Sequence, residues 1–277
     1  MSVAEKMTAI ADAIRDKTGE VEKLGLDAMV DGVDKVHKAG KQAEYDRFWD
    51  VLQHNGGRVA YEYGFYRWGT ADSFYPKYDI APTNMQYFMQ YFNNDANGGE
   101  PLDLAARLEE CGVRLDTSNA KNMSLAFYWT TGLKRLPAID LSSCTSASSL
   151  FAYCNNLETI DKIILPDIDT QVSLATAFFG SDKIKNITFE GVIRKSINLQ
   201  NGSLTVESML SVIRHLKGYA GTTSDGVYTL TFSANCWSRL EAWALENPEW
   251  FETYWGAYFG YESVKDAVRY DLGWLTT

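Results

Sequence analysis

The stretch Phe151-Ala152-Tyr153-Cys154-Asn155-Asn156-Leu157-Glu158-Thr159-Ile160 decides how this chain is read. It is the middle of three copies of one pattern, Phe-x-x-(Cys/Thr/Ser)-x-x-(Leu/Ile)-x-x-(Leu/Ile). The flanking copies are Phe127, Thr130, Leu133, Leu136 and Phe178, Ser181, Ile184, Ile187, so the pattern returns after 24 and then 27 residues. Units of that size cannot bury an apolar face alone; stacking against their neighbours supplies a continuous core. The spacing therefore predicts one buried ladder of Phe127, Phe151 and Phe178 and a second of Leu133, Leu157 and Ile184. Leu115-Asp116 and Ile139-Asp140 take equivalent places in successive units. Each unit reads as a short strand, a turn and an irregular or helical return.

Cys154 shares its place with Thr130 and Ser181, a position for a small buried side chain, and a free cysteine packs as a small apolar group. The chain has four cysteines and three histidines, with no C-x-x-C pair and with His37, His54 and His215 far apart. Reduced, structural cysteines and no zinc site follow from that spacing.

Upstream of the copies, Asn84-Met85-x-x-Phe88 reads as a degenerate first unit, because Asn122-Met123 also precedes Phe127. A helix is predicted over Leu102–Cys111. The repeat domain is placed at 80–200 and a C-terminal cap at 201–277. In the cap, Thr205 starts a helix over Val206–Leu216 closed by Lys217-Gly218, Val227–Phe232 alternates as a strand, and Trp237–Glu246 forms a helix stopping at Asn247-Pro248. Beyond it, Phe251, Tyr254, Trp255, Tyr258 and Phe259 fall on one helical stripe. That stripe has three outlets: the intrachain core, an oligomer interface or a glycan.

Residues 1–42 read as two short helices, the first opened by the Ser2/Glu5 capping box and carrying Val3, Met7, Ile10, Ala11 and Ile14 on one face. Helices so short are marginal alone in water. Their partner is either a neighbouring subunit or other protein, or the domain that follows. Residues 43–79 form a connector, a helix reaching His54 and then an aromatic strand region. Tyr61, Tyr63, Tyr66 and Trp68 there, with Trp250, Tyr254, Trp255 and Tyr258 in the tail, are the candidate binding residues. Aromatic rings supply large flat apolar area for a ligand, and the same rings also cap core edges.

The balance of charge excludes several classes. A net charge of −10 and a pI near 4.9 repel nucleic acid, whose phosphates need clustered Lys and Arg. No apolar run approaches the roughly 18 residues of a membrane helix, and the opening Met1-Ser2-Val3-Ala4-Glu5-Lys6 lacks the basic and apolar regions of a secretory signal. Synthesis in a cytoplasm is the expectation. G-x-S-x-G, H-E-x-x-H, phosphate-loop and dinucleotide motifs are absent from the sequence, so no catalytic residue, metal or cofactor is assigned. Asp161, Asp167 and Asp169 lack the glycine and closing glutamate of a calcium loop and read as a solvated turn. Glu109-Glu110 reads as the wet face of a helix. A hydrolase acting on cell-wall polymer is the weakest reading, for want of a motif.

Phe151–Ile160 resembles the F-x-x-C-x-x-L-x-x-I core of the BspA-type leucine-rich-repeat family, with Thr130 and Ser181 standing for the cysteine in the other copies. The resemblance covers roughly residues 80–235. Ile10-Ala11-Asp12-Ala13-Ile14-Arg15-Asp16-Lys17-Thr18-Gly19, with Lys23-Leu24 and Leu26-Asp27-Ala28-Met29, resembles a leader on tail and baseplate proteins of phages and prophages. Tyr45-Asp46-x-Phe48-Trp49-Asp50 and Gln53-x-Asn55-Gly56 resemble the segment that often follows it. Together these imply an α+β chain: short N-terminal helices, then an irregular BspA-type leucine-rich-repeat solenoid, then a helical and aromatic cap. They imply a non-enzymatic virion protein of tail, baseplate or fibre. It would present its repeats for host-surface recognition or virion assembly. The implied partners are other virion proteins, copies of itself (a homotrimer by analogy) and a host-surface glycan or protein, with no nucleic acid and no membrane insertion. Many BspA-type proteins are exported adhesins; without an export signal, the virion reading is favoured over a glycan- or protein-binding module of a bacterial cell.

Overall fold

The structure, a computed structural model, describes residues 74, 76, 79–92, 101–166, 172–219, 228–250 and 263–277. The chain divides into two compact units, Met1–Gly56 and Gly57–Thr277, and every described residue belongs to the second. The helices expected in 1–42, the connector helix and the aromatic strand lie outside the described residues, as does the aromatic stripe 251–259.

The architecture is mixed α/β with parallel strands. Strand β1 (Leu102–Asp103) runs into helix α1 (Leu104–Cys111); β2 (Leu133–Leu136), β3 (Ile139–Asp140), β4 (Thr159–Ile164) and β5 (Asn186–Glu190) follow. β1 pairs β2, β4 carries β2 against its first half and β3 against its second, and β5 lies on its other side; all these pairings are parallel. The register matches like with like: Leu136 faces Ile160, which faces Ile187. The buried strand residues are apolar: Leu133 and Leu136 in β2 and Ile160 and Ile163 in β4, three apart, whereas β5 follows the two-residue alternation of a regular strand. β5 shows it plainly, with Ile187 and Phe189 buried and Asn186, Thr188 and Glu190 exposed.

Between strands the chain returns through turns. The return is irregular, and the helical option for it is excluded by its hydrogen bonds. The Met123, Leu125, Phe127 and Trp129 amides donate to the Ser146, Ser148, Leu150 and Ala152 carbonyls at 2.8–2.9 Å, and the Phe151 and Tyr153 amides donate to Ala177 and Phe179 at 2.8 Å. Neighbouring circuits thus bond through alternate residues, which consumes the backbone polar groups that burial would otherwise strand. The rings stack in consequence. Phe127 and Phe151 lie 5.8 Å apart at 15°, Phe151 and Phe178 5.4 Å apart at 25°. Leu133, Leu157 and Ile184 are all fully buried.

The first circuit differs from its expected alignment by one residue. The Met89 amide donates to Ala126 in the place where Phe127 donates to Leu150, so Met89, and not Phe88, takes the phenylalanine position. Phe88 meets Phe127 edge-on instead, at 6.1 Å.

The shared Cys/Thr/Ser position has a function beyond size. Thr130 Oγ1 donates to the Met89 carbonyl (2.8 Å), Cys154 Sγ to Phe127 (2.8 Å), and Ser181 Oγ to Phe151 (2.6 Å). Each small side chain satisfies the carbonyl of the ladder residue one circuit earlier. Cysteine, threonine and serine share a donor and little bulk, which accounts for the set. All four cysteines are free.

Helix starts follow their caps. Asp103 accepts from the Ala106 amide to open α1, whose first residue lies two inside the predicted start at Leu102, and Gly112 closes it at φ +67°. Thr205 opens α2 (Val206–Arg214), which ends at His215 and not at Lys217-Gly218. α2 covers the last strand of the sheet. The Ile187 and Phe189 amides of β5 donate to Ser208 Oγ (3.0 Å) and Ser211 Oγ (2.9 Å), so the open strand edge is closed by side chains.

A second parallel sheet joins β6 (Ile197–Leu199), β7 (Thr229–Phe232) and β8 (Leu275–Thr276). Ser233 opens α3 (Ala234–Glu246), three residues before the predicted start at Trp237. Asn247 ends it and Pro248–Trp250 are helical again. α4 (Val264–Tyr270) has its first amides, Val264 and Lys265, bonded to the Glu241 carboxylate of α3. Trp274 is fully buried, its indole donating to Lys217 at 2.7 Å.

Candidate functional site

The return segments place a row of aromatic side chains on the surface beside the buried phenylalanine ladder. Tyr91, Trp129 and Tyr153 occupy one position on three successive circuits, and Gly180 occupies it on the fourth. Tyr128 and Phe179 sit one residue earlier on the second and fourth. The row is continuous: Tyr91 to Trp129 is 6.3 Å, Trp129 to Tyr153 is 5.0 Å and stacked, and Tyr153 to Phe179 is 5.4 Å and edge-on. Tyr128 fills the gaps, edge-on to Tyr91 at 6.1 Å and to Tyr153 at 5.7 Å. Trp129 is 43% exposed and Phe179 50%, among the most exposed large apolar side chains described.

The backbone under this row is left-handed. φ is 60° at Tyr91, 54° at Trp129, 60° at Tyr153 and 74° at Gly180. Glycine adopts that region freely, whereas another residue there costs roughly 1–2 kcal/mol. Three bulky rings thus stand where glycine is the cheapest choice. At Gly180 the space is already used, since a Cβ there would lie 2.7 Å from the Tyr153 ring.

Polar groups follow the ring position along the chain. Two residues beyond it stand Thr131, Asn155 and Asp182, the last two exposed. Asn156 Nδ2 donates to the Thr131 carbonyl (2.7 Å), Lys183 Nζ donates to Asn156 Oδ1 (2.9 Å), and the Gly180 amide donates to Asn201 Oδ1 (3.2 Å). Earlier on the return, the Ser149 amide donates to Thr176 Oγ1 at 3.3 Å. Burial, and then the Tyr91 and Tyr153 phenols, push the Tyr128 phenol above its ordinary range.

The exposed sheet face is different in kind. Arg135 grips Asp161 through Nε (2.7 Å) and Nη2 (3.1 Å) and approaches Asp103 at 3.8 Å; Lys162 meets Glu190 at 2.8 Å and Lys185 meets Glu158 at 3.3 Å. Asp161 is therefore an ion-pair partner on β4, which corrects its reading as part of a solvated turn; Asp167 and Asp169 lie outside the described residues. These charges neutralise one another, and such exposed pairs contribute little to stability. A shallow depression holds Asp79, Asp116 and Asp140, but Asp79 pairs with Arg114 (3.2 Å) and hydrogen bonds from Ser118 hold the Asp116 carboxyl below its usual range. Among the described residues no group of three His, Cys, Asp or Glu could hold a metal ion, and no helix is long and apolar enough to cross a membrane.

Of the sequence-derived binding candidates, Trp250 alone is described. It is half-buried, edge-on to Trp243 at 5.1 Å, with the Arg214 guanidinium 5.7 Å from its ring centre. Tyr61, Tyr63, Tyr66, Trp68, Tyr254, Trp255 and Tyr258 lie outside the described residues. Sequence reasoning passed over Tyr91, Tyr128, Trp129, Tyr153 and Phe179. The signal was present, since the second residue after the pattern's phenylalanine is Trp129 in one copy and Tyr153 in the next. No protein-family model, no curated protein and no solved structure matches this chain.

Proposed function

We propose that this chain is a non-enzymatic structural protein of a phage particle, a tail, baseplate or fibre component, whose stacked circuits form a BspA-type leucine-rich-repeat solenoid that presents a recognition surface. The observation that carries the reading is the exposed aromatic row of Trp129, Tyr153 and Phe179 on regularly bonded circuits. Its rings are held by the same hydrogen bonds that build the core, so the surface is rigid before any partner arrives, and rigidity lowers the entropic cost of binding. On a particle, several copies act together, and avidity turns weak single contacts into firm attachment. Copies of the chain, as a trimer, and other virion proteins are the assembly partners in this reading, with residues 1–42 as the docking segment.

The test is the composition of purified particles. The chain is expected in gradient-purified phage from a lysed culture that expresses it, and deletion of residues 1–40 is expected to abolish its incorporation. Its absence from particles, with retention in the bacterial cell fraction, would replace this reading by the bacterial binding module.

A further inference from the structure

We propose that the aromatic row is a binding site for an uncharged polysaccharide chain laid across successive circuits; this rests on the surface-recognition reading above.

The occupant follows from four observations. First, the open rings are spaced along the stack. Tyr153 stacks on one face of Trp129 and Tyr91 lies 6.3 Å from it, tilted at 40°, yet 43% of Trp129 remains exposed; Phe179, at 81° to Tyr153, is 50% exposed. They stand two circuits apart, roughly 10 Å at the ordinary strand spacing, about the span of two linked pyranose rings. Sugar C–H groups pack on aromatic carbon with little loss of water from their hydroxyls.

Second, an amide stands next to the ring position. Asn155, two residues on from Tyr153, is exposed and can donate and accept, which is what a hydroxyl-bearing chain requires. Third, the electrostatics oppose the charged alternatives. Beside the row the exposed Lys183 cation is offset by the exposed Asp182 next to it, and the chain carries a net −10. An anionic polymer would meet net repulsion. Fourth, the row is shallow, and polar groups follow it along the chain. Protein hot spots, in contrast, centre on well-packed, fully desolvated pockets.

Affinity electrophoresis and calorimetry of the full chain against cellohexaose, chitohexaose, mannan, galactan and the anionic polygalacturonate decide the matter. Trp129→Asn is the main variant, because asparagine accepts the left-handed backbone and leaves the fold in place. Phe179→Ser is the second, at the most open ring. The expected result is retardation by at least one neutral glycan, none by polygalacturonate, and a roughly tenfold or greater loss of affinity in each variant. Failure of every neutral glycan to bind would overturn the proposal, as would variants that bind like the parent chain or equal binding of polygalacturonate. Loss in the variants of capture of a purified particle protein, with no glycan effect, would also overturn it and assign the row to assembly. None of these results bears on whether the chain is present in particles, so the two readings fail separately.

Discussion

Replacing Ser181 by alanine removes one oxygen from a fully buried site between two circuits. Ser181 Oγ donates to the Phe151 carbonyl at 2.6 Å and accepts from the Cys154 amide at 2.9 Å. Ser181 itself is 0% exposed, as are Phe151 and Cys154, so water cannot take the vacant place. Both backbone groups then lose their partner. A buried polar group left alone costs about 1–3 kcal/mol, which gives roughly 2–6 kcal/mol for the pair. At the usual urea dependence, this lowers the unfolding midpoint by about 1 M or more with the slope unchanged. Ser181→Cys is the matched control, because cysteine holds this position at 154 and donates to Phe127 from it; its loss should be clearly smaller. Equilibrium urea unfolding followed by near-ultraviolet circular dichroism measures both. If Ser181→Ala unfolds within about 0.5 kcal/mol of the parent, the side-chain-to-carbonyl column is not what secures one circuit to the next.

Phe151→Ala empties a ring site held between Phe127 and Phe178 and should cost roughly 3–5 kcal/mol in the same assay, whereas a loss below about 1 kcal/mol would contradict the stacked ladder. Burial pushes the Cys154 thiol up to about 12 from 9.0. The unfolded chain therefore releases that proton first, and stability is present below pH 9 and lost as pH rises from there toward 12. Cys154→Ser should accordingly gain on the parent chain as pH rises above 9, and a constant difference between them would refute the assignment. Gly191→Ala should destabilise more than Gly112→Ala. Both have positive φ, but a Cβ at Gly191 meets the Leu165 carbonyl oxygen at 2.6 Å, whereas at Gly112 nothing lies within 4 Å. Equal midpoints would mean that the backbone at Leu165 yields freely.

What could be read in the sequence was whatever repeats in it. The phenylalanine pattern gave the spacing of 127, 151 and 178, and Thr205 announced its helix because a cap is a local device. Met89 was hidden because it is no phenylalanine, although Asn84-Met85 stands as far before it as Asn122-Met123 before Phe127; the hydrogen bonds to Ala126 and from Thr130 assign it to the ladder. The pairing of Leu275 with Thr229 was hidden for the opposite reason, being a contact across some 46 residues with no periodic counterpart. The exposed row was half visible. Trp129 and Tyr153 share a register that the pattern contains, but a sequence pattern alone does not tell whether a ring next to the ladder is buried or open.

Donor and acceptor on adjacent return segments are separated by 37 residues at Met89–Ala126, 23 at Phe127–Leu150 and 26 at Phe151–Ala177. The cross-circuit bonding is nonetheless the same each time. Extra length is taken up at the corners, as α1 does between the first two circuits. A corner can therefore be lengthened or trimmed while the row of rings keeps its pitch, so that the stacking of the rings and the length of the chain between them are set independently.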